Sequence, residues 1–275
     1  MIARLLSFLF VLPLAVGCDS GKKFESTPPF EEPEDVAVWA TSGSAVAVYS
    51  HAYEPIGVAD GALTFADPDC PTTSDDGTTL SIAGGCTDES DRKWEGFATV
   101  RRDGDDRELT FVDFDGKRGS VSVRLAGPTL REFDADLLIG GVTTIGYSGT
   151  VEGDYDGPTT WNGSGRVARR GFFPPLGAVD VTTEDEVVDD AVCSGQPASG
   201  ATTLRARGDT AVVTYDGATA CDGEKNAELS VNGEDRGLVS GINCAVARAG
   251  RKGSFGAFGW VFGALSLLAF RRRRP

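Results

Sequence analysis

The chain alternates large apolar residues with small or polar ones over many short stretches. The segment WEGFATVR at residues 94–101 is typical, and a period of two indicates a strand with one buried face. The same kind of pattern predicts strands at residues 62–65, 80–83, 94–101, 108–114, 120–125, 143–152, 163–168, 178–182, 202–206, 211–215 and 227–232.

Short loops rich in Gly and Asp separate most of these predicted strands, and the chain contains 36 glycines. Loops of this kind favour tight turns between neighbouring strands. A parallel crossover would need a dozen or more residues, so we expect antiparallel pairing in chain order. The prediction is an all-β fold, an antiparallel meander arranged as a sandwich or an open barrel-like sheet, with disulfides and a C-terminal hydrophobic helix.

The region before the first predicted strand has two parts. Residues 18–35 are rich in Pro, Glu and Ser and poor in apolar side chains, which predicts a disordered tether. Residues 36–53 combine Val, Trp and Tyr with a Thr-Ser-Gly-Ser centre, which favours a hairpin, although their many alanines also suit one helix. We predict the hairpin, at the start of a β-rich extracytoplasmic domain spanning residues 36–243.

The chain contains degenerate internal repeats. Cys70 and Cys86 bracket a turn, a strand and a glycine pair, and Cys193 and Cys221 bracket a related arrangement with an inserted strand. Two Trp-x-Gly sequences, at residues 94–96 and 161–163, are each followed by a pair of adjacent arginines. Together these echoes predict related β units.

The N-terminus has the features of a targeting segment. Residues 1–17 contain Arg4, an apolar stretch and small residues before Cys18. The sequence LAVGC at residues 14–18 resembles a bacterial lipobox, although Ala15 stands where lipoproteins usually have Leu. The resemblance implies cleavage before Cys18 and lipidation of its sulfur; an ordinary signal peptide cut at the same bond is the alternative.

The C-terminal segment, residues 244–275, differs in composition from the rest of the chain: it is apolar and basic and contains no acidic residue. Residues 253–270 contain no charge and are long enough to span a bilayer. Cys244, a spacer, this apolar stretch and the terminal cluster Arg271, Arg272, Arg273 and Arg274 resemble a myxobacterial-type C-terminal sorting signal. The resemblance implies recognition and removal by sorting machinery, and a plain membrane anchor with its arginines in the cytoplasm is the alternative.

The six cysteines fit export to an oxidising compartment. If Cys18 carries lipid and Cys244 belongs to the sorting signal, four remain for disulfides. Of the three pairings we predict Cys70 with Cys86 and Cys193 with Cys221, because each pair brackets one repeat unit and closes a short loop. Loops of this size should each stabilise the fold by roughly 3 kcal/mol.

Charge is distributed unevenly along the chain. One of its 26 basic residues lies in residues 1–17 and seven in residues 245–275, neither of which contains an acid, so the middle has 18 basic against 41 acidic side chains. A net charge of −23 excludes nucleic acid and anionic lipid as partners of the middle domain. An acidic surface also keeps an exported protein soluble.

Metal sites have weak support in the sequence. The absence of a Cys-x-x-Cys pair and the single histidine argue against zinc. The Asp-x-Asp-Gly turns at residues 113–116 and 154–157 resemble the start of calcium loops, but their twelfth positions are Arg124 and Gly165 instead of the closing Glu. Weak calcium binding and ordinary Asx turns both stay open, and we predict no other cofactor.

Catalysis also has little support. His51 is the only histidine, and no G-x-S-x-G motif lies near it. Two carboxylates suffice for a glycosidase, and acidic residues are abundant, but most occupy turns. We therefore expect no intrinsic hydrolase activity.

Trp94 and Trp161, with neighbouring Phe97, have two interpretations. Exposed on a sheet face, they would form a ligand platform for sugar rings; buried, they would be core residues, which is the commoner case.

The Cys-turn-strand-Gly-Gly-Cys block is also similar to uncharacterised exported β proteins, which implies no activity. We predict a membrane-anchored lipoprotein of the bacterial cell envelope, at the outer membrane or cell surface, with a binding or structural role. Its partners would be the membrane and the lipoprotein and sorting machinery, with the ligand unknown. The alternative is an extracellular hydrolase that acts on glycans through paired carboxylates.

Overall fold

The computed structural model describes residues 30–171, 175–189, 191–192, 196–216 and 227–239. Helix α1 spans Pro33–Gly43, α2 spans Ala45–Val48, a π-helical turn spans Tyr49–Tyr53 and α3 spans Glu54–Ala59. The strands are β1 Thr72–Asp75, β2 Thr79–Ala83, β3 Cys86–Thr87, β4 Lys93–Trp94, β5 Phe97–Asp103, β6 Asp106–Phe114, β7 Lys117–Leu125, β8 Leu130–Ile139, β9 Thr143–Glu152, β10 Thr159–Arg169, β11 Gly177–Val188, β12 Ser199–Ala206, β13 Asp209–Asp216, β14 Ala227–Val231 and β15 Glu234–Val239.

Thirteen of the strands described form one antiparallel sheet in chain order, and only the β3–β4 pair stands outside it. Tight turns join the neighbours, as at β6–β7, where Asp115 (φ 51°) and Gly116 (φ 74°) both adopt the positive φ that a type I′ hairpin turn requires. The predicted antiparallel meander is therefore confirmed.

One face of the sheet is buried and the other faces solvent. In β8 the side chains of Arg131, Phe133, Ala135 and Leu137 are buried, while every second residue from Leu130 to Asp136 is exposed. The buried faces of the strands join the helices in one continuous hydrophobic core.

The sheet curves around the helical segment. Helix α1 has 11 residues, which makes it about 16 Å long, yet it contacts both β9 and β15. These two strands are six positions apart in the sheet, a distance of roughly 29 Å if the sheet were flat. Helix α3 contacts β5 and β6, which lie on the opposite side of β9 from β15 in the strand order. The helices therefore lie inside the curve of the sheet.

The hairpin predicted for residues 36–53 is wrong, because this region is helical. Pro33 occupies the first turn of α1, and all four residues of α2 are buried. A helix enclosed on all sides loses its amphipathic period, so the pattern did not distinguish it from strands. Small residues allow the helices to pack closely against the sheet: a Cβ on Gly43, at the end of α1, would lie 2.8 Å from Val181 Cγ2 in β11.

Other boundaries also differ from the prediction. Residues 62–65 form no strand, whereas β1, β8 and β15 are strands that the sequence pattern did not predict. The ordered region begins before residue 36, since Phe30 is buried at 5 % exposure and α1 starts at Pro33. Residues 30–35 of the predicted tether therefore belong to the folded part of the chain, and its residues 18–29 lie outside the described residues.

Cys70 and Cys86 form the predicted disulfide, with their Cα atoms 5.9 Å apart. It ties the segment after α3 to β3, beside the first strands of the sheet. Cys18, Cys193, Cys221, Cys244 and the arginines at 271–274 lie outside the described residues, as does the apolar segment 253–270. Within the described ranges, no helix has the length and apolar character needed to cross a membrane.

Candidate binding pocket

A pocket of about 680 Å³ opens where four connections of the chain meet. Its walls come from the end of α3, the β5–β6 hairpin, the β7–β8 loop with the start of β8, and the β9–β10 loop. Three arginines line it, Arg102, Arg107 and Arg131, although the middle of the chain is strongly acidic. Each arginine is held differently.

The charge of Arg107 is neutralised by Asp60, the residue that follows α3. Its Nε donates to Asp60 Oδ1 at 2.5 Å, and the Tyr155 hydroxyl donates to Asp60 Oδ2 at 2.7 Å. Burial, followed by the contact with Asp60, raises the pKa of Tyr155, so its phenol stays protonated and remains a donor. The Asp60 carboxylate is thus engaged through both oxygens.

Arg102 joins α3 to the sheet edge. Its Nε donates to the Ala59 carbonyl at 2.8 Å, and its Nη1 and Nη2 donate to the two carboxylate oxygens of Asp75 at 2.9 and 2.6 Å. This hydrogen bonding, with that from the Gly77 amide, lowers the pKa of Asp75 to about 2. The forked pair fixes the side of the pocket next to β1.

Arg131 lies deepest, at an inward position of β8, and only 4 % of it is exposed. Its Nη1 donates to the carbonyls of Gly153 at 2.7 Å and Thr129 at 3.3 Å. Its guanidinium carbon lies 3.9 Å from the Tyr155 ring centroid, a cation–π contact. Its Nε is buried and has no hydrogen-bond partner.

Aromatic rings form the support behind the pocket. Tyr155 packs against Tyr53 with ring centroids 4.8 Å apart, and Tyr53 stacks on Tyr49 at 4.7 Å. Tyr53 also packs against Trp161, at 6.0 Å. The Tyr155 ring is therefore held between Arg131 and the core and positions the arginine.

Trp94 and Trp161 do not form the exposed platform that was one interpretation of the sequence. They are 2 % and 0 % exposed, and their indole N–H groups donate to Asp88 Oδ2 at 2.9 Å and Thr159 Oγ1 at 2.8 Å. Both are core residues because their rings fill the space between the sheet and the residues packed on its concave face. Phe97, by contrast, is 50 % exposed.

His51 lies in the π-helical turn, half-buried, and its Nδ1 has no partner. Burial, and then the positive charge of Lys117, lower its pKa to about 3. Lys117 is itself buried and donates to Asp115 at 2.8 Å. An imidazole with so low a pKa is a poor general base near neutral pH.

Glu186 is a second titratable group in the core, with 0 % exposure. Its Oε2 accepts from the Ala45 amide at 2.6 Å, and its Oε1 accepts from the Thr202 hydroxyl. Burial raises its pKa to about 8, despite these two hydrogen bonds. Burial therefore favours the protonated, neutral form of this side chain, against the two hydrogen bonds that favour the carboxylate.

The described residues contain no cluster of three or more side chains suited to holding a metal ion. In the first Asp-x-Asp-Gly turn, Asp113 pairs with Arg118, and Asp115 pairs with Arg92 and Lys117. The second such turn contributes the exposed Asp154 and Asp156 to the rim of the pocket. Weak calcium binding stays a prediction.

The fold and pocket define a class: an antiparallel meander curved around an N-terminal helical segment, with an arginine-lined pocket at the strand ends. Comparison of the chain with family models, with curated proteins and with solved structures finds no match.

Proposed function

We propose that this protein is a membrane-anchored lipoprotein of the cell envelope that binds a small polar ligand and does not catalyse a reaction. The observation that carries the binding role is the pocket of about 680 Å³ lined by Arg102, Arg107 and Arg131. This volume is within the range of small-molecule sites, roughly 300–1,000 Å³. The anchoring through Cys18 is supported by the sequence alone.

The groups in the pocket suit a ligand rich in oxygen atoms. Arginine nitrogens supply donors, the carboxylates of Asp154 and Asp156 supply acceptors at the rim, and Leu125 and Pro128 supply apolar surface. Such a mixture binds hydroxyl or acidic groups through several directed hydrogen bonds. Envelope saccharides and their derivatives belong to this chemical class.

A hydrolase acting on glycans is the second candidate, because three carboxylates line the same pocket: Asp60, Asp154 and Asp156. Binding is favoured over hydrolysis since Asp60 is already occupied by Arg107 and Tyr155. Glycan cleavage that disappears in Asp154→Asn or Asp156→Asn, with the fold retained by circular dichroism, would promote the hydrolase.

The binding role is tested by a ligand screen on the full chain in detergent, with thermal unfolding as the readout. The screen contains neutral sugars, sugar acids and phosphorylated sugars. Ala62 is exposed and lines the pocket, so Ala62→Trp should fill the opening and abolish any shift in Tm. Val112→Trp, at an exposed position of β6 outside the pocket, is the matched control. A screen without a ligand, or a shift that survives Ala62→Trp, contradicts the proposal.

A further inference from the structure

Arg131 occupies a position where the strand pattern calls for an apolar residue. It is in line with Phe133, Ala135 and Leu137 on the buried face of β8. Transferring a guanidinium ion out of water costs several kcal/mol unless its charge and its N–H groups are compensated. The contacts of Arg131 therefore show how far its charge and its N–H groups are compensated within the protein.

The compensation is incomplete. The other two arginines of the pocket have carboxylate partners, Asp75 for Arg102 and Asp60 for Arg107. Within the described part of the chain, Arg131 forms no salt bridge and relies on two carbonyls and on the rings of Tyr155 and Tyr53. Its Nε remains buried without a partner. A buried cation beside an open pocket is thus left without a counter-ion.

The neighbouring acids do not supply that counter-ion. The Asp60 carboxylate is bound by Arg107 and Tyr155. Asp154 and Asp156 are exposed at the rim, where water and salt screen their charges. Among the charged residues that line the pocket, Arg131 is therefore the one that is buried and lacks a carboxylate partner.

We propose that Arg131 binds an oxyanion, a carboxylate or phosphate group, on the ligand that enters this pocket. A guanidinium donates parallel N–H hydrogen bonds to two oxygens of such a group. This inference rests on the proposed binding function and specifies its ligand class. The Tyr155 ring packs between this guanidinium and Tyr53 and so holds Arg131 from the side of the core.

The test measures binding of four probes to the full chain by calorimetry at constant ionic strength: inorganic phosphate, glucuronate, glucose 6-phosphate and neutral glucose. We expect the charged probes to bind at least tenfold more tightly than glucose. The relative affinities of glucuronate and glucose 6-phosphate distinguish a carboxylate ligand from a phosphate ligand. Arg131→Gln should weaken the charged probes at least tenfold and so remove most of their advantage over glucose.

Arg166→Gln is the matched control, because Arg166 is exposed on β10 and paired with Asp180 outside the pocket. If Arg131→Gln does not fold, Arg131→Lys keeps the charge without the fork and should weaken the charged probes several-fold. Equal affinity for glucose and glucuronate in the wild type would overturn the inference and leave the binding function intact, provided that Ala62→Trp still blocks binding. If no charged probe binds, the inference is overturned, and the ligand screen alone then decides the proposed function.

Discussion

The backbone amide of Ala45 donates to Glu186 Oε2 at 2.6 Å and joins the start of α2 to the C-terminal end of β11. The two residues are 141 positions apart in sequence. The carboxyl group has no access to water, and burial raises its pKa to about 8. The contact between helix and sheet therefore places in the core an acid whose ionisation is opposed by burial.

Glu186→Gln should make the protein less sensitive to alkaline pH. The folded state holds a proton on Glu186 up to about pH 8, whereas the unfolded chain releases it near pH 4.5. Stability from this group is complete below pH 4.5 and falls as pH rises toward 8, by about 1.4 kcal/mol per pH unit. Urea unfolding at pH 5 to 8 should show this slope in the wild type and lose it in Glu186→Gln. The exposed neighbour Glu184→Gln should keep the slope, and its loss there too would refute the assignment.

His51→Gln should protect the protein against acid. Its folded pKa of about 3 lies below the ordinary value of 6.5, so the unfolded chain binds the proton first. Stability from this group is complete above pH 6.5 and is lost as pH falls toward 3. Unfolding curves between pH 7 and 4, each compared with the same variant at pH 7, should show a shallower acid loss in His51→Gln. Parallel curves for variant and wild type would contradict a neutral His51 in the core.

Trp161→Ala should destabilise the fold by about 3–5 kcal/mol, because a fully buried indole leaves a cavity. Phe97→Ala is the matched control, since half of that ring is already exposed; we expect a change of about 0.5 kcal/mol or less there. Denaturant unfolding measures both. A glycan affinity lost in a Trp161→Ala protein of unchanged stability would restore the platform interpretation.

Replacing both Cys70 and Cys86 by Ala should cost roughly 3 kcal/mol, because their disulfide closes a 16-residue separation. Thermal unfolding of the double variant and of the reduced wild type, each compared with the oxidised wild type, measures the change. Equal Tm values for oxidised and reduced wild type would contradict it. Non-reducing peptide mapping of the same samples tests the predicted link between Cys193 and Cys221.

The intact mass of the mature protein tests both terminal predictions. A chain that begins at a diacylated Cys18 should be heavier than the cleaved polypeptide by the lipid, and removal of the sorting signal should shorten it after about residue 244. If the tail is removed, Cys18→Ser should move the protein to the soluble fraction. An unmodified Cys18 in the mature mass would exclude lipidation.

The strands with apolar residues on one face and Gly or Asp in their turns could be predicted, as for β9, whose bounds match the prediction. Strand β8 has the same alternation, but Arg131 stands at an inward position and Asp134 and Asp136 give the segment the composition of a loop. The helices could not be predicted because burial on all sides removes their period. The sequence feature that could have indicated the site is Arg131, a charged residue at an inward position of a segment whose pattern otherwise alternates.

The pocket itself could not be derived from sequence spacing. Its residues come from four connections, from Ala59 to Asp156, and meet because alternate hairpins of the meander lie at the same end of the sheet, beside the end of α3. No short motif records such an arrangement. The disulfide between Cys70 and Cys86 could be predicted because both cysteines lie within one local unit.

The contact between α1 and β15 joins the first and the last elements that the structure describes. Contacts over such long sequence separations slow folding, since the loop entropy must be lost before they form. Helix α1 appears early during synthesis, but its partner strand becomes available only after residue 239. We therefore expect folding to follow completion of this region instead of proceeding strand by strand as the chain is made.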